Sequence, residues 1–233
     1  MEKTLGIIGG MGPLATVKLF EKIVTLTDAR SDQEHIRILI DNNTFIPDRT
    51  SYLVGIGEDP REQLIDSAKK LESAGADFLV MPCNTAHYFY NDILQQINIP
   101  FLHMIEETAN IILEKYPGIE KVGLLATVGT CKTGVYADVF QKKGIQVLQP
   151  SEEHQQYVTD LIYGIKENRK VNIDHFYTAV NALNSAGCQV CILGCTELSV
   201  AYDLFHLKGT YVDALDVISR KAIEFAGKRV LEK

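Results

Sequence analysis

The chain has 233 residues, of which 46% are hydrophobic and 23% charged, with a formal net charge of -7. Those values fit a globular protein of one large or two compact domains, and the negative balance argues against nucleic acid as the main partner, which would need clustered Lys and Arg. No apolar run nears the ~20 residues of a membrane span, and five cysteines without framework spacing point to reduced thiols.

The opening MEKTLGIIGG runs into a strand pattern without a basic leader, so a cytoplasmic location is expected. Short runs rich in Ile, Leu and Val predict buried parallel strands at 5–8, 36–40, 78–81, 122–126, 145–148 and 190–193. Between them, apolar residues three and four apart predict helices at 14–27, 60–74, 104–115, 133–143, 154–167 and 174–186. Pro60 suits a first turn, and Gly75, Gly144 and Gly187 suit helix C-termini. Alternating strands and helices imply an α/β fold, a parallel sheet with helices on both faces.

The chain reads as built twice. Leu5-Gly6-Ile7-Ile8-Gly9-Gly10-Met11-Gly12 is echoed by Val122-Gly123-Leu124-Leu125-Ala126-Thr127-Val128-Gly129-Thr130. At similar distances follow Pro82-Cys83-Asn84-Thr85-Ala86-His87 and Gly194-Cys195-Thr196-Glu197-Leu198, each closing a strand and opening onto a helical stretch. Ligands of open parallel sheets bind beyond the carboxyl ends of the strands, where Gly10, Cys83, Thr127 and Cys195 all fall. Two thiols in equivalent places could thus approach one substrate from opposite sides. At a helix N-terminus a thiol pKa is expected to be lowered, as acid/base work requires.

The remaining cysteines invite other readings. Cys188 and Cys191 form a C-x-x-C ahead of Cys195, but no second cluster completes a four-ligand zinc site, and a redox C-x-x-C would begin a helix. Structural roles are expected for both, and none for Cys131. Gly10-Met11-Gly12-Pro13-Leu14-Ala15 has the form of a dinucleotide fingerprint, which keeps a dinucleotide-binding oxidoreductase or sensor as the alternative of a different class. The acidic residue expected about 20 positions on is poorly met by Asp41, and a close-approach loop facing a carboxylate is the simpler reading. Arg49 could hold a carboxylate and Lys166 supply a second cation, although each taken singly reads as a solvated surface charge; His87 and His103, near the cleft, read as satisfied structural histidines.

GIIGGMGPLAT, IPDRT, MPCNTAH, LLATVGT and ILGCTEL, in this order, resemble the cofactor-independent aspartate/glutamate racemase family on its aspartate branch, from about residue 5 to residue 225. Glu197 departs from the glutamate branch, which has His there. The resemblance implies two similar α/β domains about a pseudo-twofold axis, with the site between them, and a homodimer. It implies that the last strand and helix of each half pack on the other, giving domains 1–99 plus 212–233 and 100–211. It further implies Cys83 and Cys195 as the acid/base pair, with Asn84, Thr85, Thr127, Thr130 and Thr196 around the substrate's α-carboxylate and amino group. Met11 and Gly12 would line the entrance, and Arg49 and Lys166 would meet an acidic side chain. The implied activity is interconversion of L- and D-aspartate, or glutamate, without pyridoxal phosphate or metal. A racemase of broader or non-acidic specificity is the alternative within that class.

Overall fold

In the computed structural model, which describes residues 2–231, strand and helix alternate into two parallel sheets. The first half contains β1 (Leu5–Gly9), α1 (Pro13–Leu26), β2 (Ile38–Asn42), α2 (Arg49–Leu53), α3 (Arg61–Ser73) and β3 (Phe78–Val80), then a 3-10 turn at Thr85–Phe89 and α4 (Tyr90–Leu94). The second contains α5 (Met104–Lys115), β4 (Lys121–Ala126), α6 (Val128–Thr133), α7 (Val135–Gln141), β5 (Gln146–Leu148), α8 (Glu152–Lys166) and α9 (Ile173–Ser185). It ends with β6 (Cys191–Gly194), α10 (Thr196–Phe205), β7 (Tyr211–Asp213) and α11 (Ala214–Phe225). Central strands β1, β3 and β6 are buried throughout because helices cover both faces, whereas edge strand β2 is half exposed. Among the described residues no helix is long and apolar enough to cross a membrane.

Sheet order makes the duplication explicit. The first sheet runs β2-β1-β3 and the second β5-β4-β6-β7. Phe101 extends the first by a parallel bridge to Leu79, in the place that β7 holds beside β6. Each half therefore lays down its strands as second, first, third, fourth.

Strand exchange, implied by the family likeness, is not seen. Leu79 N–H donates to Pro100 O at 2.8 Å and Leu102 N–H to Leu79 O at 3.0 Å, so the Phe101 segment pairs with its own half, as β7 does with β6. The free edges of β3 and β6 are the nearest places where these segments satisfy their backbone groups. The helices that follow do cross. Ile105, Ala109 and Ile112 of α5 join Val122, Leu124 and Ala126 in the second core, while Leu215, Ile218, Ala222 and Ile223 of α11 join Leu5, Ile7, Phe78 and Val80 in the first.

Most boundaries lie within two residues of expectation, and Gly75, Gly144 and Gly187 have positive φ. The helix expected at 133–143 is α7, and a further short helix, α6, precedes it, the two separated by Gly134 with φ +70°. That break matters, because it delivers Thr127 and Thr130 from one helix and Tyr136 from the next.

Candidate active site

The loops after β1, β3, β4 and β6 meet between the two halves. They line one cavity with Met11, both thiols Cys83 and Cys195, and Asn84, Thr85, Thr127 and Thr196. Asp48, Arg49 and Thr50 enter from α2 and its cap, Lys166 from the end of α8, and Glu197 from the start of α10. The halves touch closely here. A side chain at Gly129 would place Cβ 2.9 Å from Thr50 Oγ1. The cavity is about 20 Å³, enough for a water and smaller than any amino acid, so a ligand of that size enters only when the lining parts.

Cys83 and Cys195 are each 7% exposed, and their surroundings differ. Cys195 caps α10, and its Sγ donates to Glu197 Oε2 at 2.9 Å. Burial first, and the Glu197 charge second, push this thiol well above the ordinary cysteine range, with Lys166 pulling the other way. The lowered pKa expected from a helix N-terminus is thus overturned for Cys195: desolvation and a neighbouring carboxylate outweigh the helix amides. Cys83 does not cap a long helix. It lies between β3 and the Thr85–Phe89 turn.

His87 holds the Cys83 loop in place. Its Nε2 accepts from Met104 N–H at 3.2 Å and its Nδ1 lies 2.8 Å from Cys83 O. Only the neutral ring with its proton on Nδ1 satisfies both. Burial first, then the neighbouring His103, lower its pKa to about 3 from 6.5. A depressed histidine pKa favours the fold above the unfolded value, and the gain is lost as pH falls. Between pH 6.5 and about 3 the unfolded chain binds a proton that folded His87 refuses, so stability should drop by about 1.4 kcal/mol per pH unit. Denaturant unfolding of His87→Gln and the wild type at neutral pH and at pH ~4.5 checks this. An equal acid loss in both would assign it elsewhere.

The other polar groups fall into two sets. Thr85, Thr127 and Thr130 form a ring of hydroxyls with Oγ1–Oγ1 distances of 3.1, 2.8 and 3.1 Å, joining the halves across the cavity floor. On the cationic side, Arg49 is 8% exposed and donates to the carbonyls of Ile46, Pro47 and Met11 at 3.2, 2.8 and 3.4 Å. Among the described residues it has no ion-pair partner, and its Nε has no acceptor. Asp48, next to it, caps α2 by accepting from Ser51 N–H; that bond, against burial, holds its carboxyl below the usual range. Lys166 Nζ is 3.9 Å from Glu197 Oε1, and although burial opposes it, that carboxylate raises the lysine pKa.

Of the residues that the family likeness assigns to the site, all but Gly12 and Thr130 line the cavity. Gly12 caps α1 beside Glu197, where a Cβ would lie 3.9 Å from Oε1, and Thr130 takes part through the hydroxyl ring. The glycine loop is a tight turn. Gly10 has φ +91°, and a Cβ there would fall 2.2 Å from Asn43 O. Cys188 and Cys191 are buried with Leu125, Leu183 and Leu193 in another core cluster of the second half, and Cys131, which does not line the cavity, donates to Gln155 Oε1 at 3.6 Å. Sequence reasoning missed Glu197, Asp48 and Thr50 as lining residues; Cys-Thr-Glu at the end of a buried strand was the signal for the first.

Paired thiols at matching strand ends of two parallel-sheet halves, facing a cavity lined by two cations, two carboxylates and threonine hydroxyls, sit in the two-lobed α/β architecture of the amino-acid racemases. The chain matches the Asp/Glu/Hydantoin racemase family over residues 8–221 and belongs to it. Among solved structures it is similar to the Picrophilus torridus aspartate racemase, at 32% identity and a TM-score of 0.86, covering 98% of this chain and 96% of that one. It is also similar to an aspartate racemase homologue from Pyrococcus horikoshii OT3, at 26% identity and a TM-score of 0.78 over 97% and 99% of the chains. The broad specificity amino-acid racemase RacX of Bacillus subtilis (strain 168) is 29% identical over 94% of this chain and 96% of its own length.

Proposed function

We propose that the protein interconverts the enantiomers of an acidic amino acid, aspartate first and glutamate second, by two-base proton transfer between Cys83 and Cys195. The observation carrying this is that both thiols line one cavity together with a buried Arg49 that makes no ion pair among the described residues. Burial and Glu197 keep Cys195 as a thiol, so in the first direction it is the acid and Cys83, as thiolate, the base. The Cα–H bond breaks, its proton passes to the Cys83 sulfur, and the electron pair moves onto the carboxylate. Cys195 then delivers its proton to the opposite face of Cα and is left as a thiolate beside Lys166. The reverse reaction starts from that state. Hydroxyls and amides fixed before the reaction stabilise the negative charge that develops on the carboxylate. The family resemblance supports a cofactor-free, cytoplasmic homodimer.

Proton NMR of an amino-acid panel in deuterated water tests the reading. L-aspartate should lose its α-proton signal with purified protein and no added cofactor, and D-aspartate should appear. Exchange with neutral or basic amino acids but not aspartate would favour the broader specificity named for the RacX relative; exchange with none would refute the racemase reading. Glu197 supplies a second check. Because its charge raises the Cys195 pKa and Cys195 must be protonated to act as acid, Glu197→Gln should move the alkaline limb of kcat/KM to lower pH. An unmoved limb would take Glu197 out of the control of Cys195.

A further inference from the structure

Asn84 follows Cys83 in the first half and is 3% exposed. Its Oδ1 accepts from the hydroxyl of Tyr136 at 2.5 Å, across the junction from α7 of the second half. Its Nδ2 is buried, lines the cavity with the rest of the residue, and has no protein partner among the described residues. An amide is nearly symmetric in shape but opposite in hydrogen-bonding sense at its two ends, so the network around it decides which end meets a ligand. Tyr136 makes that decision here. Its side chain is fully buried, and its hydroxyl proton has Asn84 Oδ1 as its one acceptor among the described residues. Turning the amide over would strand the phenol proton without a partner, which disfavours the turned orientation.

We propose that Tyr136 is a positioning residue that fixes Asn84 as a donor, so that an Nδ2 hydrogen meets an oxygen of the substrate α-carboxylate. The proposal rests on the racemase reading and deepens it, since the alternatives for Asn84 were the carboxylate and the amino group. A donor-only Asn84 cannot accept from an ammonium. It can strengthen its bond as charge moves from Cα onto the carboxylate, which is where a donor assists proton abstraction.

A double-mutant cycle tests this. Tyr136→Phe should lower kcat/KM for α-proton exchange by roughly 10- to 100-fold in the native background, with kcat carrying most of the loss. In an Asn84→Ala background the same change should cost less than about threefold, because the group it orients is gone. Equal losses in both backgrounds would make Tyr136 a packing residue, and no loss in the native background would remove the lock altogether. Asn84→Asp keeps the acceptor for Tyr136 but turns the cavity-facing end into an oxygen; kcat/KM should fall by about 100-fold or more, and unchanged activity would overturn the donor assignment. A readout without turnover separates this proposal from the racemase reading. In nitrogen-15 spectra the Asn84 side-chain amide signals should shift or broaden in Tyr136→Phe even if the protein exchanges no amino acid. Unmoved signals would refute the lock whatever the activity.

Discussion

Cys83→Ala and Cys195→Ala are each expected to reduce interconversion of aspartate enantiomers by about 10³-fold or more, the upper part of what one positioned acid or base contributes. The loss should be nearly complete because inversion needs both faces of Cα served. Each variant should nonetheless retain a distinctive residue of activity. With Cys195 absent, Cys83 can still remove the proton that faces it, exchange it with solvent and return it to the same face. Slow deuterium incorporation into one enantiomer, without racemisation, is therefore expected, and the opposite enantiomer should incorporate in Cys83→Ala. Chiral chromatography read beside proton NMR separates exchange from inversion. Retained two-way interconversion in either variant would remove that cysteine from the mechanism. Both thiols are small and only 7% exposed, so thermal unfolding of the variants is the control that the fold survives.

Both thiols were legible in the sequence because chemistry and topology coincided there. Each follows an uninterrupted apolar strand, and in a parallel sheet the carboxyl ends of such strands must open together on one side. Arg49 and Lys166 were harder to read, since a single cation in a loop or at a helix end has the same appearance whether it faces solvent or a cleft. What the sequence could not show is how the groups around the thiols act on them. Cys195 at the start of a ten-residue helix suggested a lowered pKa, but Glu197 two positions on turns back to accept a hydrogen bond from its thiol. Tyr136 is the clearest example. On α7 it is one more large residue in a helical stretch, and its role rests on an oxygen 52 positions away that only the folded chain brings within 2.5 Å. The exchange of α5 and α11 escapes periodicity for the same reason, because an apolar helix face does not say which sheet it covers.

Arg49→Gln is expected to raise KM for aspartate by about 100-fold, while a small neutral amino acid such as alanine should be affected far less. The argument starts from an imbalance. Burying a guanidinium is costly unless a carboxylate or an equivalent anion accompanies it, and here three carbonyl oxygens fix the group without neutralising it. Asp48 feels the Arg49 charge but caps α2 and makes no ion pair with the guanidinium, and Glu197 faces Lys166 and Cys195 instead. An entering carboxylate side chain supplies the missing charge, and a planar guanidinium suits it in a way that a point charge does not. Arg49→Lys should consequently recover only part of the loss. Stability should move in the opposite sense, because Gln has no buried charge to compensate, so ligand-free Arg49→Gln should melt no lower than the wild type. Steady-state kinetics on aspartate and alanine, with thermal unfolding of both proteins, check the two halves of this expectation. An unchanged KM for aspartate would assign Arg49 to holding the Met11 loop and leave recognition of the acidic side chain to Lys166.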